Sequence, residues 1–378
     1  MNSKFIATIL LLSILFGCTE EKVPERFYPR NDHHAYWYSL KQANLLSTAL
    51  GKEWLEASEK PFEQQIQVQL PYQESFVLSD LKPEAIGYRF EAKRGQKVLV
   101  DIQLITKDTT KVFVDLFRVQ NDSLGDYLQV ASADSTLQLG FEPRRDASYL
   151  LRLQPELLRG GHYTVTIENV PTLDFPVAGK DKRAIQSVFG DPRDGGRREH
   201  HGVDIFASRH TPILAPTKAE VRFVGVRGLG GKVVWLFDRE RGTNLYFAHL
   251  QEQKVKRYQM VNPGDTIGTV GNTGNARYTP PHLHFGIYRN GPIDPYAFIV
   301  PEYARPKPII PDTILLGKKI ELTNDLILKS AMNFNADPID TVKVGGVITI
   351  NAVNHNYIRV TNEKGITGFL TMKEASKF

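Results

Sequence analysis

The chain has 378 residues, more than one typical domain uses and enough for two or three. Hydrophobic residues make up 41% and charged residues 24%, a composition that excludes an intrinsically disordered protein. The net charge of +5 is diffuse, with no run of Lys and Arg, so we expect no nucleic-acid partner.

The N-terminus, "MNSKFIATILLLSILFGCTEEK", has the layout of an export signal. Lys4 precedes an apolar stretch, residues 5–16, which has the length of a signal-peptide core and is too short to cross a bilayer. "LFGC" then ends at Cys18, the only cysteine of the chain, and resembles the bacterial lipobox. The resemblance implies a lipoprotein signal peptide at 1–17 and a lipid on Cys18. The alternative is an ordinary secretory signal with a cysteine there by chance.

We therefore expect a lipid-anchored protein of the bacterial cell envelope. Thr19 follows the cysteine at the position where an aspartate is associated with retention at the inner membrane, which favours the outer membrane. The periplasmic and the surface face both stay open, because "TEEK" also fits a surface-export signal. A single cysteine leaves no disulfide within the chain, although this compartment would permit one.

Residues 18–64 are predicted to form a polar tether and then a helix at 35–60. We expect Pro61 to end this helix and interpret His33 and His34, at its start, as surface residues. The apolar residues of the segment recur at helical spacing: Ala43, Leu46, Leu50 and Trp54.

Residues 65–172 change to a period of two. "KVLVDIQLI", "KVFVDLFRV" and "HYTVTIENV" alternate apolar and polar residues between turn signals, which predicts an antiparallel β-sandwich. "YRFEAKRGQKVLVDI" resembles the jelly-roll modules found beside secreted bacterial peptidases. The alternative is a β-sandwich of no particular family, and no catalytic constellation lies in it.

Two further segments follow the central region. Residues 301–313 are rich in proline and predict a stiff linker. Residues 314–378 contain short strands and resemble a bacterial Src-homology-3-like domain of the cell-wall-targeting kind, which implies a small β-barrel. Phe369 stands where that family usually has a tryptophan, so a small barrel that only packs against its neighbours is an equal alternative.

Histidines concentrate in the central region, residues 176–300, in three stretches: "REHHGVDIFA" at 198–207, "LYFAHL" at 245–250 and "TGNARYTPPHLHFGIYRNG" at 273–291. A lone histidine in a β-rich domain is more often structural than functional. Three histidine-bearing stretches with an aspartate, within about ninety residues, are much harder to explain in that way.

The types of residue in these stretches suit a catalytic zinc, which takes three protein ligands and leaves one position open. His200 and Asp204 flank Gly202, a residue that permits a sharp turn, and His284 can approach from a strand across the sheet. His282 shares a strand face with His284, since side chains two residues apart point the same way.

His282 and His249 are then left beside the open position. Hydrolysis of an amide needs one group that takes a proton from the attacking water and one that donates a hydrogen bond to the developing oxyanion. Two imidazoles that do not bind the metal can fill these roles.

The order His-x-Gly-x-Asp, Tyr-x-x-His-Leu and His-x-His resembles the lysostaphin/LytM family of zinc metallopeptidases. "FGDPRDGG", "VNPGDTIGTVGNTGNA" and "NGPIDPYAF" around these motifs agree with it. The resemblance implies an antiparallel β-sheet with a groove across it. It also implies one zinc ion held by His200, Asp204 and His284, with His249 and His282 as the catalytic histidines.

The sequence therefore predicts a zinc-dependent endopeptidase that hydrolyses peptide cross-links of bacterial peptidoglycan, with peptidoglycan stem peptides and the membrane as its partners. The alternative is a lipoprotein that binds the cell wall or activates an amidase without being an enzyme. The sequence contains neither a Gly-x-Ser-x-Gly elbow nor a His-Glu-x-x-His motif, so it gives no support to the hydrolase mechanisms that use them. The bond that is cut and the oligomeric state stay open.

Overall fold

The computed structural model describes residues 31–121, 125–301, 316–333 and 335–376. The chain is mainly β, with helix near its N-terminus, as the sequence predicted. The predicted signal peptide, Cys18 and nearly all of the proline-rich linker lie outside the described residues. In the described ranges, no helix combines the length and the apolar character that a membrane span requires.

Two α-helices, α1 (Asp32–Gln42) and α2 (Ala49–Glu63), stand where one was predicted. Asn44 ends α1 because its backbone is left-handed (φ 56°), a conformation that Asn adopts more readily than most residues. A 3-10 turn at Leu45–Ser47 follows. Pro61 lies inside the last turn of α2, so the prediction that it ends the helix was wrong.

His33 was also wrongly predicted to be a surface residue. Its ring stacks on Trp54 at 4.9 Å between centroids, and its Nε2 donates to Gln154 Oε1 at 2.8 Å. Burial lowers the pKa of His33 to about 4. A neutral, hydrogen-bonded imidazole can be buried at little cost, and this one packs α1 against the sandwich.

The predicted β-sandwich follows. Its first sheet has the strand order β1-β3-β8-β5-β6, and its second contains β2, β9, β4 and β7. Inward side chains of both sheets form one core, in which Phe76, Tyr88 and Tyr163 are buried. The strands are β1 (Ile66–Gln67), β2 (Tyr72–Leu78), β3 (Ile86–Ala92), β4 (Gln96–Ile105), β5 (Val112–Asn121), β6 (Asp126–Ser132), β7 (Gln138–Phe141), β8 (Ala147–Pro155) and β9 (Gly161–Pro171).

The central region is built on one antiparallel sheet with the order β10-β13-β21-β17-β16-β15-β19, to which β22 adds beside β21. A three-stranded sheet, β14-β20-β18, and the pair β11-β12 complete it. The elements are β10 (Ile185–Ser187), β11 (Pro192–Arg193), β12 (Arg198–Glu199), β13 (Val203–Phe206), β14 (Pro212–Leu214), β15 (Ala219–Val226), β16 (Lys232–Asp238), β17 (Thr243–Ala248), β18 (Glu252–Gln253), β19 (Met260–Val261), β20 (Thr266–Thr269), β21 (His282–Tyr288), β22 (Pro292–Ile293) and helix α3 (Tyr296–Ile299).

The C-terminal strands enclose a core of their own and also extend the second sheet of the sandwich. β26 pairs with β2, which places Ala352 opposite Phe76. Phe369 is buried. The elements are β23 (Lys319–Glu321), β24 (Leu326–Lys329), β25 (Pro338–Val342), β26 (Val347–Val353), β27 (Tyr357–Asn362), β28 (Thr367–Thr371) and helix α4 (Met372–Ala375).

Candidate metal centre and active site

Three adjacent strands bring the predicted site residues together. β13 pairs with β21, and Asp204 lies directly opposite His284 in their register. β17 pairs with the other edge of β21 and ends at Ala248, the residue opposite His284, so that His249 follows at the strand end. His200 lies just before β13. All five predicted residues line one groove.

The three predicted ligands meet at a single point. The Nε2 of His200 lies 2.9 Å from the Nδ1 of His284 and 3.0 Å from the Oδ1 of Asp204. The Nδ1 of His284 lies 3.0 Å from the same oxygen. Ligands of a tetrahedral zinc at about 2.0–2.1 Å would be separated by roughly 3.3 Å, close to these distances.

Hydrogen bonds alone do not account for this cluster. The Nδ1 of His200 donates to the carbonyl oxygen of Val188 at 2.8 Å, and a carbonyl can only accept. The Nε2 of a neutral His200 therefore carries a lone pair and faces an aspartate oxygen, which also only accepts. A cation among the three atoms removes this repulsion, so the donor set of two nitrogens and one oxygen fits a metal ion.

The charges of the cluster agree with a cation site. Burial opposes the charge of Asp204, but the hydrogen bond from the Nδ1 of His284 favours it, and the pKa of Asp204 lies well below its ordinary value. Burial lowers the pKa of His284, although Asp204 acts against this. A charged carboxylate and a neutral imidazole are the protonation states that bind metal.

Arg193 contacts the cluster, although it was not among the site residues predicted from the sequence. Its Nη2 donates to the Oδ2 of Asp204 at 2.8 Å and to the hydroxyl of Ser187 at 2.6 Å. Asp204 thus has one oxygen directed at the metal site and the other held by a cation. The signal in the sequence was the arginine of "FGDPRDGG", a stretch that was noted only as framework.

Gly202 is needed for a reason other than the predicted turn. Its backbone is not among the left-handed glycines of the chain. A Cβ at this position would lie 2.5 Å from the carbonyl oxygen of Phe285 and 2.8 Å from the ring of His284. Glycine is therefore required because the backbone passes directly over the ring of His284.

The other two histidines share an arrangement that leaves one nitrogen of each ring free. The Nδ1 of His249 donates to the carbonyl oxygen of Thr273, and that of His282 donates to the carbonyl oxygen of Pro280, both at 2.9 Å. Each neutral ring then carries its lone pair on Nε2. The ring centroids of His249 and His282 are 5.1 Å apart, and those of His249 and His284 are 6.1 Å apart.

His249 is held in an uncommon state. Its backbone is left-handed (φ 64°), which is rare for residues other than glycine and is often found at functional sites. Burial lowers the pKa of His249 to about 4, and His282 contributes to the shift. His249 is therefore a neutral imidazole at neutral pH.

The groove has a volume of about 550 Å³ and is lined by residues between 186 and 288. Among the described residues, neither α1, α2 nor the sandwich contributes to its lining. Tyr246 and Tyr288 are part of its wall, and burial raises the pKa of Tyr246 to about 12, so its hydroxyl keeps its proton. The cluster of His200, Asp204 and His284 forms part of the wall of this groove.

Comparison with known proteins agrees with this geometry. The model of Peptidase family M23 matches residues 198–295. The L-Ala--D-Glu endopeptidase of Bacillus subtilis is 38% identical over 135 residues, which cover 32% of this chain and 41% of that protein. The peptidoglycan DD-endopeptidase ShyC of Vibrio cholerae is 36% identical over 118 residues, 29% of this chain and 26% of ShyC.

The uncharacterized lipoprotein YgeR of Escherichia coli is 36% identical over 117 residues, which cover 30% of this chain and 43% of YgeR. The chain thus spans less than half the length of each of these three relatives. The matched segment holds the strands and histidines of the groove. Within residues 198–295, the chain contains a domain of Peptidase family M23.

Proposed function

We propose that this chain is a zinc-dependent endopeptidase that hydrolyses peptide bonds of bacterial peptidoglycan. The observation that carries the proposal is the meeting of His200, Asp204 and His284 ligand atoms within 3.0 Å of one another. The presence of a Peptidase family M23 domain and the endopeptidase names of two relatives support it. His200, Asp204 and His284 would hold the zinc.

Zinc bound there would supply Lewis acidity, which polarises a carbonyl group and makes water easier to deprotonate. The protein's own part falls to His249 and His282. A neutral ring with its lone pair on Nε2 accepts a proton from the attacking water, and the ring that has been protonated donates a hydrogen bond or passes the proton to the leaving amine. The lowered pKa of His249 suits it to be the neutral acceptor at the start of the reaction.

The substrate is proposed from chemistry and from the relatives. The open groove suits an extended peptide, and two relatives are named for L-Ala--D-Glu and for peptidoglycan DD bonds. These are different bonds, so the proposal covers the peptide part of peptidoglycan and does not choose between them.

The test is digestion of purified peptidoglycan, with the released fragments identified by mass spectrometry. The proposal expects peptide fragments with new amino termini, loss of the activity after chelation, and its return when zinc is added. Intact peptidoglycan after incubation with zinc-loaded protein would contradict it. Mass spectrometry of fragments from defined muropeptides would identify the bond.

We also propose that Cys18 carries a lipid that anchors the chain in the cell envelope, at the outer membrane. The similarity to the lipoprotein YgeR supports this. The mass of the N-terminal peptide tests it, because lipid on the cysteine adds several acyl chains and stable anchoring needs more than one. We expect Cys18→Ser to abolish the modification and shift any processed protein out of the detergent phase. A parent protein with an unmodified Cys18 would contradict the proposal.

A further inference from the structure

A second cavity, of about 630 Å³, lies between the sandwich and the central region. We call it the basic cleft. The sandwich contributes residues 94–97 and 140–144 to its walls, and the central region contributes residues 239–243, Arg289 and Phe298. It shares no lining residue with the groove of the metal centre.

The cleft holds six cations and only two acids. Both acids, Glu142 and Glu240, pair with Arg241, at 2.7 Å and 4.0 Å. Arg239 pairs with Glu220 at 2.8 Å. The remaining four cations make no ion pair within the part of the chain that the structure describes: Arg94, Lys97, Arg144 and Arg289.

Asp146 is close to the cleft, where its Oδ1 accepts from the backbone N–H of Arg94 at 2.8 Å, but one carboxylate does not balance four cations. The cleft therefore has a positive potential. Such a potential attracts anions, and the planar fork of arginine binds a carboxylate or a phosphate through two parallel hydrogen bonds. Three of the four cations are arginines. The chemistry of the cleft therefore favours a ligand with several oxyanion groups.

Contacts between the two walls hold the cleft in shape. The backbone N–H of Leu173 donates to the carbonyl oxygen of Phe298 at 2.9 Å. Gly95 has φ 93° and lies so close to Phe298 that a Cβ would collide with the ring. Arg241 reaches across from the central region to Glu142 of the sandwich. A cleft that is already formed spares a ligand the cost of ordering it.

The cleft is also distant from the metal centre. Thr243 in its wall is six residues before His249, and Arg289 is five residues after His284, along strands β17 and β21. At about 3.3 Å per residue these strands separate the two sites by roughly 16–20 Å. A ligand in the cleft would thus bind without touching the metal ligands.

We propose that the basic cleft binds a ligand with at least two oxyanion groups, carried by a small molecule or by an extended chain. Arg144 and Arg289 are exposed, whereas Arg94 and Lys97 are half-buried in the cleft, so a flat membrane surface would not reach all four. The cations accept carboxylates and phosphates alike, and the experiment decides between these two groups.

Isothermal titration calorimetry of the full chain, with inorganic tripolyphosphate and with propane-1,2,3-tricarboxylate as probes, tests the proposal. We expect saturable binding of at least one probe, weakened by added salt because the contacts are electrostatic. The variant Arg94→Gln/Arg144→Gln/Arg289→Gln should bind about tenfold more weakly or worse, since it loses three charge-assisted contacts. The probe that binds more tightly identifies the preferred oxyanion. If this variant does not fold, Arg289→Gln alone should still weaken binding.

The control Arg159→Gln/Arg183→Gln/Arg257→Gln removes the same amount of charge at exposed positions outside the cleft and should bind as the parent does. Equal weakening in both triple variants would show that the attraction is diffuse and would overturn the proposal. The proposal would also be overturned if neither probe bound.

Tripolyphosphate also chelates metals, so the titration is repeated with His200→Ala. Unchanged binding supports the cleft, whereas loss of binding assigns the heat to the metal centre and overturns the proposal.

Discussion

Arg193 links the proposed metal ligands to the protein around them. It holds one oxygen of Asp204 at 2.8 Å, while the other oxygen faces His200 and His284. We predict that Arg193→Gln lowers the affinity for zinc by about tenfold to a hundredfold, the usual effect of losing a partner of a ligand. Titration with zinc against a competing chelator measures this affinity.

Activity of Arg193→Gln should return when zinc is in excess, because all three ligands and both other histidines remain. Arg183→Gln is the matched control, since Arg183 pairs with Asp181 at 2.6 Å on the surface. It should change neither affinity nor activity. An Arg193→Gln variant that binds zinc as tightly as the parent would show that Asp204 needs no such support.

At the scale of residues, the sequence predicted the site residues that have a distinctive type and spacing. It did not reveal the residues whose importance comes from a contact in the folded chain. The five predicted site residues are histidines and an aspartate in short distinctive stretches, and the structure brings all five to one groove. Arginine is common on surfaces, so the contact of Arg193 with Asp204 became visible only in three dimensions. Gly202 was noted for a turn, whereas the fold needs it for close approach to His284.

At the scale of elements, His33 makes the packing of α1 dependent on pH. Its pKa is about 4 in the folded chain, against 6.5 in the unfolded chain, because burial disfavours the charged ring. Its contribution to stability is present above pH 6.5 and is lost as the pH falls toward 4. We predict that at pH 5 the parent has lost about 2 kcal/mol of its free energy of unfolding through this residue.

Urea unfolding of the parent and of His33→Gln, at pH 7.5 and pH 5, measures this contribution. The parent should lose more stability on acidification than His33→Gln does, because glutamine does not titrate. His210→Gln removes an exposed histidine and should behave as the parent. If His33→Gln and the parent lose the same amount, His33 does not couple protonation to folding.

The elements themselves were predictable where their pattern is local. Alternation of apolar and polar residues predicted the sandwich strands, since each strand buries one face against the opposite sheet. The break between α1 and α2 was missed because the apolar spacing continues through Asn44, whose left-handed backbone is what ends α1. Pro61 stands inside the last turn of α2, where it is buried against Gly87 of β3.

At the scale of the whole molecule, a largely buried ion pair lies where the C-terminal strands join the sandwich. Glu74 of β2 accepts from Arg359 of β27 at 3.2 Å and from the hydroxyl of Tyr88 at 2.7 Å. We predict that Glu74→Gln lowers the free energy of unfolding by about 1.5–3 kcal/mol, because it removes a charge-assisted hydrogen bond to the largely buried guanidinium of Arg359. Urea unfolding measures the loss.

Glu321→Gln, at an exposed position of the C-terminal strands, is the control and should leave stability within about 0.5 kcal/mol of the parent. The double variant Glu74→Leu/Arg359→Met should recover much of the loss, since it removes both charges together. Parent-like stability of Glu74→Gln would mean that the junction does not depend on this pair.

The sequence could not reveal this junction. Short strands in residues 314–378 predicted a small barrel, but which edge strand pairs with which is a long-range choice. β26 and β2 are more than two hundred and fifty positions apart in the chain, and their pairing makes one sheet of the sandwich and the C-terminal strands. Only the assembled molecule shows that the C-terminal segment is not a freely attached module.

The comparison of His284→Ala with His282→Ala tests the central claim most directly, by zinc content at excess metal together with cleavage of peptidoglycan. His284→Ala removes a proposed ligand and should lose zinc and activity together. His282→Ala leaves three ligands in place and should keep one zinc per chain while its activity falls about a hundredfold or more. Equal loss of zinc in both variants would contradict this division of roles, and cleavage at the parent's rate by both would contradict the metallopeptidase mechanism itself.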